Sequence, residues 1–222
     1  MEKISVTTVN KYTFYASHYS IDSKPRAVVQ ILHGMAEHQR RYHDFINYLN
    51  NQGITVFIHD HLGHGDRVSE SDIKGFFTEH DGWNVVVNDA KSVSEIIKSL
   101  YPDTPLTLLG HSMGSYIGLA LIESFNLYDL CILSGSSKPS KILLLLQKLL
   151  LKSEVKKNGL KGYSEKIDNL IFGGFNKQIK GARTPHDWLS HDKYSVQDYL
   201  LDPNRKSTRL NSSHLVISYA VF

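Results

Sequence analysis

Five consecutive residues, Gly110-His111-Ser112-Met113-Gly114, have the types and order that acyl-transfer chemistry needs. A serine hydroxyl can attack a carbonyl when a sharp strand-to-helix turn lifts it clear of its neighbours, and such a turn leaves little room for side chains on either side. Gly110 and Gly114 provide that room. The apolar run Leu106–Leu109 reads as the incoming strand, and a helix rich in small and apolar residues begins near Ser115. The five-residue pattern recurs by chance in unrelated chains, so it is this context that marks Ser112 as the nucleophile.

A second segment agrees with the first. His33-Gly34-Met35-Ala36-Glu37-His38 directly follows the apolar run Val28–Leu32. A tetrahedral oxyanion needs two fixed donors, one from the residue after the nucleophile and one from the loop after an earlier strand. The backbone N–H groups of Met113 and Met35 are those candidates, and one such donor is typically worth about 3 kcal/mol of transition-state stabilisation. Because they act through the backbone, the methionine side chains are free to line an apolar acyl pocket. Gly34 and His111 are expected beside the substrate.

A different chemistry has to be weighed at His59-Asp60-His61-Leu62-Gly63-His64, since histidine and carboxylate are metal ligands. The spacing reproduces no standard zinc pattern, and a metal reading would leave the Ser112 turn unexplained. These histidines are expected to shape the rim of the site and to hydrogen-bond their loop, with no metal and no cofactor.

The elements around these motifs alternate. Val6–Val9 and Tyr12–His18 read as an opening antiparallel pair, and Ala27–Leu32 and Ile54–Ile58 as short strands buried on both faces. Helical spacing runs over Arg41–Asn51 and from about Trp83 to Leu100, and Leu130–Leu133 forms one more strand. Strands alternating with helices predict a mostly parallel, three-layer α/β sheet. From Lys138 to about Tyr199 the pattern gives helices and loops only, as for an insertion over the mouth of such a sheet. Its leucine run, Ile142 to Leu151, is too short and too interrupted to span a bilayer, which needs about twenty apolar residues. It reads as a cap helix, or as a lid offering apolar surface to acyl chains or to a membrane surface.

Taken together, the pieces resemble the monoacylglycerol lipase and lysophospholipase branch of the α/β-hydrolases. His33-Gly34-x-x-Glu37-His38 is similar to that branch's oxyanion loop, Asp60-His61-Leu62-Gly63-His64-Gly65 to the loop after its next strand, and Gly110 to Gly114 to its nucleophile elbow. The resemblance covers about Val28 to Ser137 well and continues less sharply to Asp202-Pro203. It implies an α/β-hydrolase core at 1–137 and a helical cap at 138–203. It also implies a small-molecule lipid ester as substrate, held in a tunnel under the cap, with Ser112 forming an acyl-enzyme that water resolves. Asp66-Arg67 departs from the family pattern, which has a small or polar residue and then serine there.

Serine needs a histidine base oriented by a carboxylate, and in this fold both follow the nucleophile at the ends of later strands. No such strands are legible after Leu133. Past Ser112 the histidines are His186, His191 and His214, and the first two lie in the helical exit of the cap. The stretch Lys206 to His214 resembles translated sequencing-adapter DNA, with two free codons at Leu215-Val216 and matching codons again from Ile217 to Phe222. Residues 204–222 are therefore set aside as a non-native tail. The expectation is a chain that runs off its gene near Pro203, lacks the acid and the base, and has little or no activity as written. A non-catalytic ligand-binding module on the same fold is the alternative, with a metallohydrolase behind it.

Composition narrows the classes further. With 41% hydrophobic and 21% charged residues the 222-residue chain is that of a globular protein with one principal core. The three basic residues of the tail, Arg205, Lys206 and Arg209, account for the whole net charge of +3, so the overall balance gives no reason to invoke nucleic acid or an anionic membrane. A transient membrane-surface contact through the cap is the partner reading that remains, and no protein partner is implied. The start lacks the layout of a signal peptide, which favours the cytoplasm, and the single Cys131 reads as a buried structural thiol.

Overall fold

The computed structural model describes residues 1–9, 11–68, 73–138 and 140–202. Its strands are β1 (Glu2–Thr7), β2 (Thr13–Tyr19), β3 (Ala27–Leu32), β4 (Ile54–Ile58), β5 (Leu106–His111) and β6 (Leu130–Ser134). They form one sheet in the order β1-β2-β4-β3-β5-β6. β1 and β2 are antiparallel to their neighbours, while β4, β3, β5 and β6 run parallel. The helices between them are α1 (His43–Asn51), α2 (Gly82–Leu100) and α3 (Met113–Ser124). This is the mostly parallel α/β sheet that the alternation predicts.

Side-chain parity along β3 explains the three layers. Val28 and Leu32 face α2 and α3, where they pack with Val86, Ala90, Val93, Leu108 and Ile117. Val29 and Ile31 face α1, where they meet Ile46, Val56 and Ile58. Each fully buried Val, Leu or Ile contributes about 1.5–3 kcal/mol, so both faces of β3 are committed to the core. Gln30 breaks the apolar run yet is fully buried. Its side chain donates to the Ala90 carbonyl at 2.8 Å and accepts from Ser94 Oγ at 2.7 Å and Tyr128 Oη at 3.1 Å, which ties α2 to the central strand.

Three details differ from the sequence expectation. The first strand is Glu2–Thr7 rather than Val6–Val9, because a turn begins at Thr8, whose carbonyl accepts from Lys11 N–H, and Lys11 takes a φ of 62°. The helix after Ser112 begins two residues early, at Met113. Cys131 is only half-buried, since β6 is the last strand of the described sheet and leaves Leu130 and Ile132 exposed. After β6 come three further helices, α4 (Lys141–Asn158), α5 (Glu165–Phe172) and α6 (Lys193–Leu201), with no strand between them among the described residues.

Replacing Gln30 with leucine removes the link from β3 to the Ala90 carbonyl and takes one acceptor from the Ser94 and Tyr128 hydroxyls, which keep only each other and the Ala90 carbonyl. The expected loss is about 1–3 kcal/mol in urea denaturation. A change within about 0.5 kcal/mol would show that this link does not hold α2 in place.

Candidate active site

Ser112 sits between the end of β5 and the start of α3 with φ 50° and ψ −116°, a backbone region that side-chain-bearing residues rarely occupy. Its amide donates to the Ser134 carbonyl at 2.8 Å, and its own carbonyl accepts from Ser115 N–H at 2.9 Å and Ser115 Oγ at 2.6 Å. The glycines on either side are required by contact. A Cβ on Gly114 would lie 2.0 Å from the Leu32 carbonyl oxygen, and one on Gly110 would lie 2.4 Å from the Gly114 carbonyl oxygen. The turn is thus pressed onto the carboxyl end of β3, where the next loop begins.

That loop brings Gly34 against Ser112. A Cβ on Gly34 would stand 3.1 Å from Ser112 Cβ and 3.4 Å from the His111 ring. His111 itself points its Nδ1 at Ser134 Oγ, 3.4 Å away. Met35 and Met113 contribute to the same apolar cluster, Met113 fully buried and Met35 partly. Gly34 N–H is taken by the Glu37 carboxylate, whereas neither Met35 N–H nor Met113 N–H is taken by another group among the described residues. Ser112, Gly34, His111, Met35 and Met113 therefore lie together around the end of β3.

The polar groups that fix the loop were only partly legible. Glu37 also accepts from Tyr42 Oη at 2.9 Å, and burial together with this carboxylate pushes the Tyr42 phenol up. Asp60, almost fully buried, accepts from Gln39 N–H, Gln39 Nε2 and Asp66 N–H, each at 2.8 Å. Gly65, at φ 50°, is needed because a Cβ there would lie 2.2 Å from the Asp60 carboxylate. The departure at Asp66-Arg67 has its own partners. Asp66 meets Arg40 at 2.6 Å, and the guanidinium of Arg67 lies 4.0 Å over the Phe14 ring and 2.8 Å from the buried Asp89 carboxylate.

The histidines of this region are buried, not on the rim as expected. His33, His59 and His61 are fully buried and His64 nearly so. His33 Nδ1 lies 2.7 Å from the Gly34 carbonyl oxygen and His33 Nε2 accepts from His61 N–H at 3.0 Å, which fixes the neutral tautomer with its proton on Nδ1. Burial lowers the His33 and His61 imidazoles, and burial followed by the nearby Arg67 charge brings His59 down to about 3.

No histidine nitrogen stands within hydrogen-bond distance of Ser112 Oγ among the described residues. His186 packs edge-on against Tyr199, with ring centroids 5.5 Å apart, and His191 is exposed. His38, by contrast, reaches Asp202 Oδ2 at 2.6 Å, and Arg41 lies 4.8 Å over the Tyr199 ring, so the end of α6 is fastened to the loop that carries Met35. Nothing in the sequence pattern signals those two contacts.

A buried histidine that stays neutral in the fold but titrates near 6.5 when unfolded lends stability that is complete above that value and is lost as the pH falls. Each such group costs up to about 1.4 kcal/mol per pH unit, and for His59 the loss continues toward about 3. The urea midpoint is expected to drop steadily below about pH 6.5, and His59→Leu is expected to flatten that slope. An unchanged slope in His59→Leu would show that this imidazole is not the titrating group.

The family model described as serine aminopeptidase, S33, matches residues 23–217. The mouse monoglyceride lipase is 28% identical over 189 residues, covering 85% of this chain and 55% of the mouse protein. The monkeypox virus monoglyceride lipase homolog is 38% identical over 120 residues, 54% of this chain and 41% of the viral protein. The chain thus spans about half the length of the curated relatives it matches. Among solved structures, a thermostable carboxyl esterase from Bacillus coagulans in complex with glycerol superposes with a TM-score of 0.84 at 28% identity, covering 99% of this chain and 72% of that one. The chain belongs to the serine aminopeptidase S33 family, and within it to the monoacylglycerol lipase branch of the α/β-hydrolases.

Proposed function

We propose that this polypeptide is a serine hydrolase that cleaves carboxylic esters of a lipid such as a monoacylglycerol or a lysophospholipid, through an acyl-enzyme on Ser112. The observation that carries the reading is the strained Ser112 turn, with Gly34 packed beside it and two uncommitted amides, Met35 N–H and Met113 N–H, flanking it in sequence. The Ser112 oxygen attacks the ester carbonyl, and the negative charge that develops on the carbonyl oxygen is stabilised by those amides. The hydroxyl proton passes to a histidine base, which then protonates the departing alcohol, and water releases the acid by the reverse sequence. The base and its carboxylate partner are supplied by chain outside the described residues.

What packs beside the site supports this substrate class. Met35 packs against the cluster of Leu151 and Ile167, which Val155 and Phe172 also join, so the residue beside Gly34 meets apolar side chains of α4 and α5. We read residues 138–203 as a cap whose underside holds an acyl chain and whose outside meets a membrane surface. The lipase and esterase names of the relatives support the same class.

Fluorophosphonate labelling, read by peptide mass mapping on this chain and on the longest polypeptide its gene encodes, tests the reading. A single adduct on Ser112 is expected, absent in Ser112→Ala. Gly34→Ala, which crowds Ser112 and displaces Glu37, is expected to slow labelling on the order of 10²-fold. An unlabelled Ser112 in both polypeptides would replace the hydrolase with a ligand-binding module on the same fold.

A further inference from the structure

The two neighbours of β2 cover it unequally. β1 pairs with it from Thr13 to His18, whereas β4 meets it only from Ser17 to Tyr19. Past that pairing a cavity of about 350 Å³ opens between the free edge of β2 and the loop 60–67, a volume in the range of small-molecule sites. Thr8 N–H donates to the Tyr12 carbonyl at 2.9 Å, which fixes the phase of the β1–β2 ladder. Phe14 and Ala16 then bond to β1, and the backbone N–H and C=O of Thr13 and Tyr15 point toward the gap with no strand beside them. No residue of the Ser112 turn lines this cavity, and neither Gly34 nor Met35 does.

The side chains around the gap have committed their acceptors and kept donors free. The Asp60 carboxylate takes N–H groups of Gln39 and Asp66 on both oxygens. The Asp66 carboxylate takes Arg40 at 2.6 Å and Lys3 at 3.5 Å, and Gln39 Oε1 takes the Ser17 hydroxyl at 2.7 Å. Arg67, by contrast, has five N–H donors, of which the Asp89 carboxylate, the Asp60 carbonyl and the Tyr12 hydroxyl occupy at most three. Lys3 has three and gives one to Asp66. The backbone of Thr13 and Tyr15 offers donors and acceptors equally, so the surplus is one of cationic donors.

Arg67 is also held still. Its guanidinium lies 4.0 Å over the Phe14 ring and 2.8 Å from Asp89, and its side chain is only 9% exposed. A fork fixed in this way is preorganised for a planar pair of oxygens, and little rotamer freedom is lost when one binds. The serine of the family pattern would supply no cation at this position.

Charge and shape narrow the ligand. Lys3 and Arg67 are balanced by Asp60 and Asp66 in the lining, so the gap suits one negative charge, and a second would stand against Asp66. Tyr12, Tyr15 and Leu62 give it an apolar wall.

We propose that the gap between β2 and the loop 60–67 binds a small monocarboxylate with a flat apolar body, its oxygens on Arg67 and Lys3 and its body against Tyr12, Tyr15 and Leu62. This goes beyond the hydrolase reading, and neither the site nor its measurement requires Ser112 to be a nucleophile.

Ligand-observed NMR titration with benzoate, on this chain and on the longest polypeptide its gene encodes, tests it. A dissociation constant of about 1 mM or tighter is expected. Benzamide, which keeps the shape and loses the charge, and phthalate, which adds a second charge, are expected to bind at least about fivefold more weakly. Arg67→Lys keeps a cation beside Asp89 but removes the fork, and is expected to weaken benzoate about tenfold. Arg67→Ser combined with Asp89→Asn is expected to abolish binding without leaving a buried charge unpaired, and circular dichroism checks the fold of each variant. Lys3→Gln, on a side chain that is half exposed, is expected to weaken binding about threefold with the fold intact. Absence of benzoate binding would overturn the proposal, as would equal binding of benzamide or insensitivity to Lys3→Gln and to both changes at Arg67. Benzoate binding that survives the Arg67 changes and is lost in Gly34→Ala would place the carboxylate beside Ser112 instead. Binding with the expected pattern by a protein whose Ser112 takes no fluorophosphonate would leave this site standing and remove the hydrolase.

Discussion

The contact on which the rest of the site depends is the one between Gly114 and the carbonyl of Leu32. No side chain fits between them, since a Cβ on Gly114 would stand 2.0 Å from that oxygen. The start of α3 consequently rests on the carboxyl end of β3, and two loops distant in sequence meet there. Ser112 leaves one and Gly34 leaves the other, so that Ser112 Cβ and the Cα of Gly34 face each other with no intervening group. The unusual backbone of Ser112 is a local cost of order 1–3 kcal/mol, and the parallel pairing of β3 with β5 and of β5 with β6 offsets it. A turn of this kind persists only when its surroundings over-determine it, and here the surroundings are the central strands of the sheet.

Around that contact, buried polar groups do what packing alone cannot. An apolar core would place the loop after β3 but would not fix its amide directions. Glu37 fixes Gly34 N–H, His33 fixes the Gly34 carbonyl, and Asp60 gathers the amides of Gln39 and Asp66. With Gly34 held on both sides, Met35 N–H is left as the next donor along the chain. His33 and His61 contribute as neutral hydrogen-bonding groups, since charging them in this buried environment would cost more than their contacts return. Positions remote in sequence are thereby locked to one another by short hydrogen bonds rather than by exposed ion pairs, which contribute little.

Elements whose signal is local were legible in the sequence. The strands Ala27–Leu32 and Ile54–Ile58 were readable because apolar runs of that length bounded by turn residues have few other uses. The Ser112 turn was readable because both its glycines and its flanking elements lie within a dozen residues. What escaped was set by long-range contacts. The expected rim histidines are buried because the chain folds Phe14, Phe77 and Arg67 over them, and no local pattern announces that. The partners of Arg67 come from β2 and α2, and those of His38 and Arg41 from the end of α6, more than 150 residues away. The first strand was misplaced for a local reason, since Val9 has strand-like chemistry but follows a turn that starts at Thr8.

The two halves of the molecule are joined by contacts of unequal strength, and that inequality bears on how a covered site can work. Lys161 and Glu79, 2.7 Å apart, are both largely exposed, so their pairing adds little. Met35 packs on the buried apolar pair Leu151 and Ile167, and the His38–Asp202 contact is largely buried. Both of the stronger attachments end on the loop from His33 to Tyr42. The loop that carries Met35 is therefore shared between the sheet and the helices α4 to α6, whereas Ser112 is held by its amide bond to the Ser134 carbonyl in β6. Ser112 thus belongs to the sheet alone, while Met35 is packed from both the sheet side and the helices after β6.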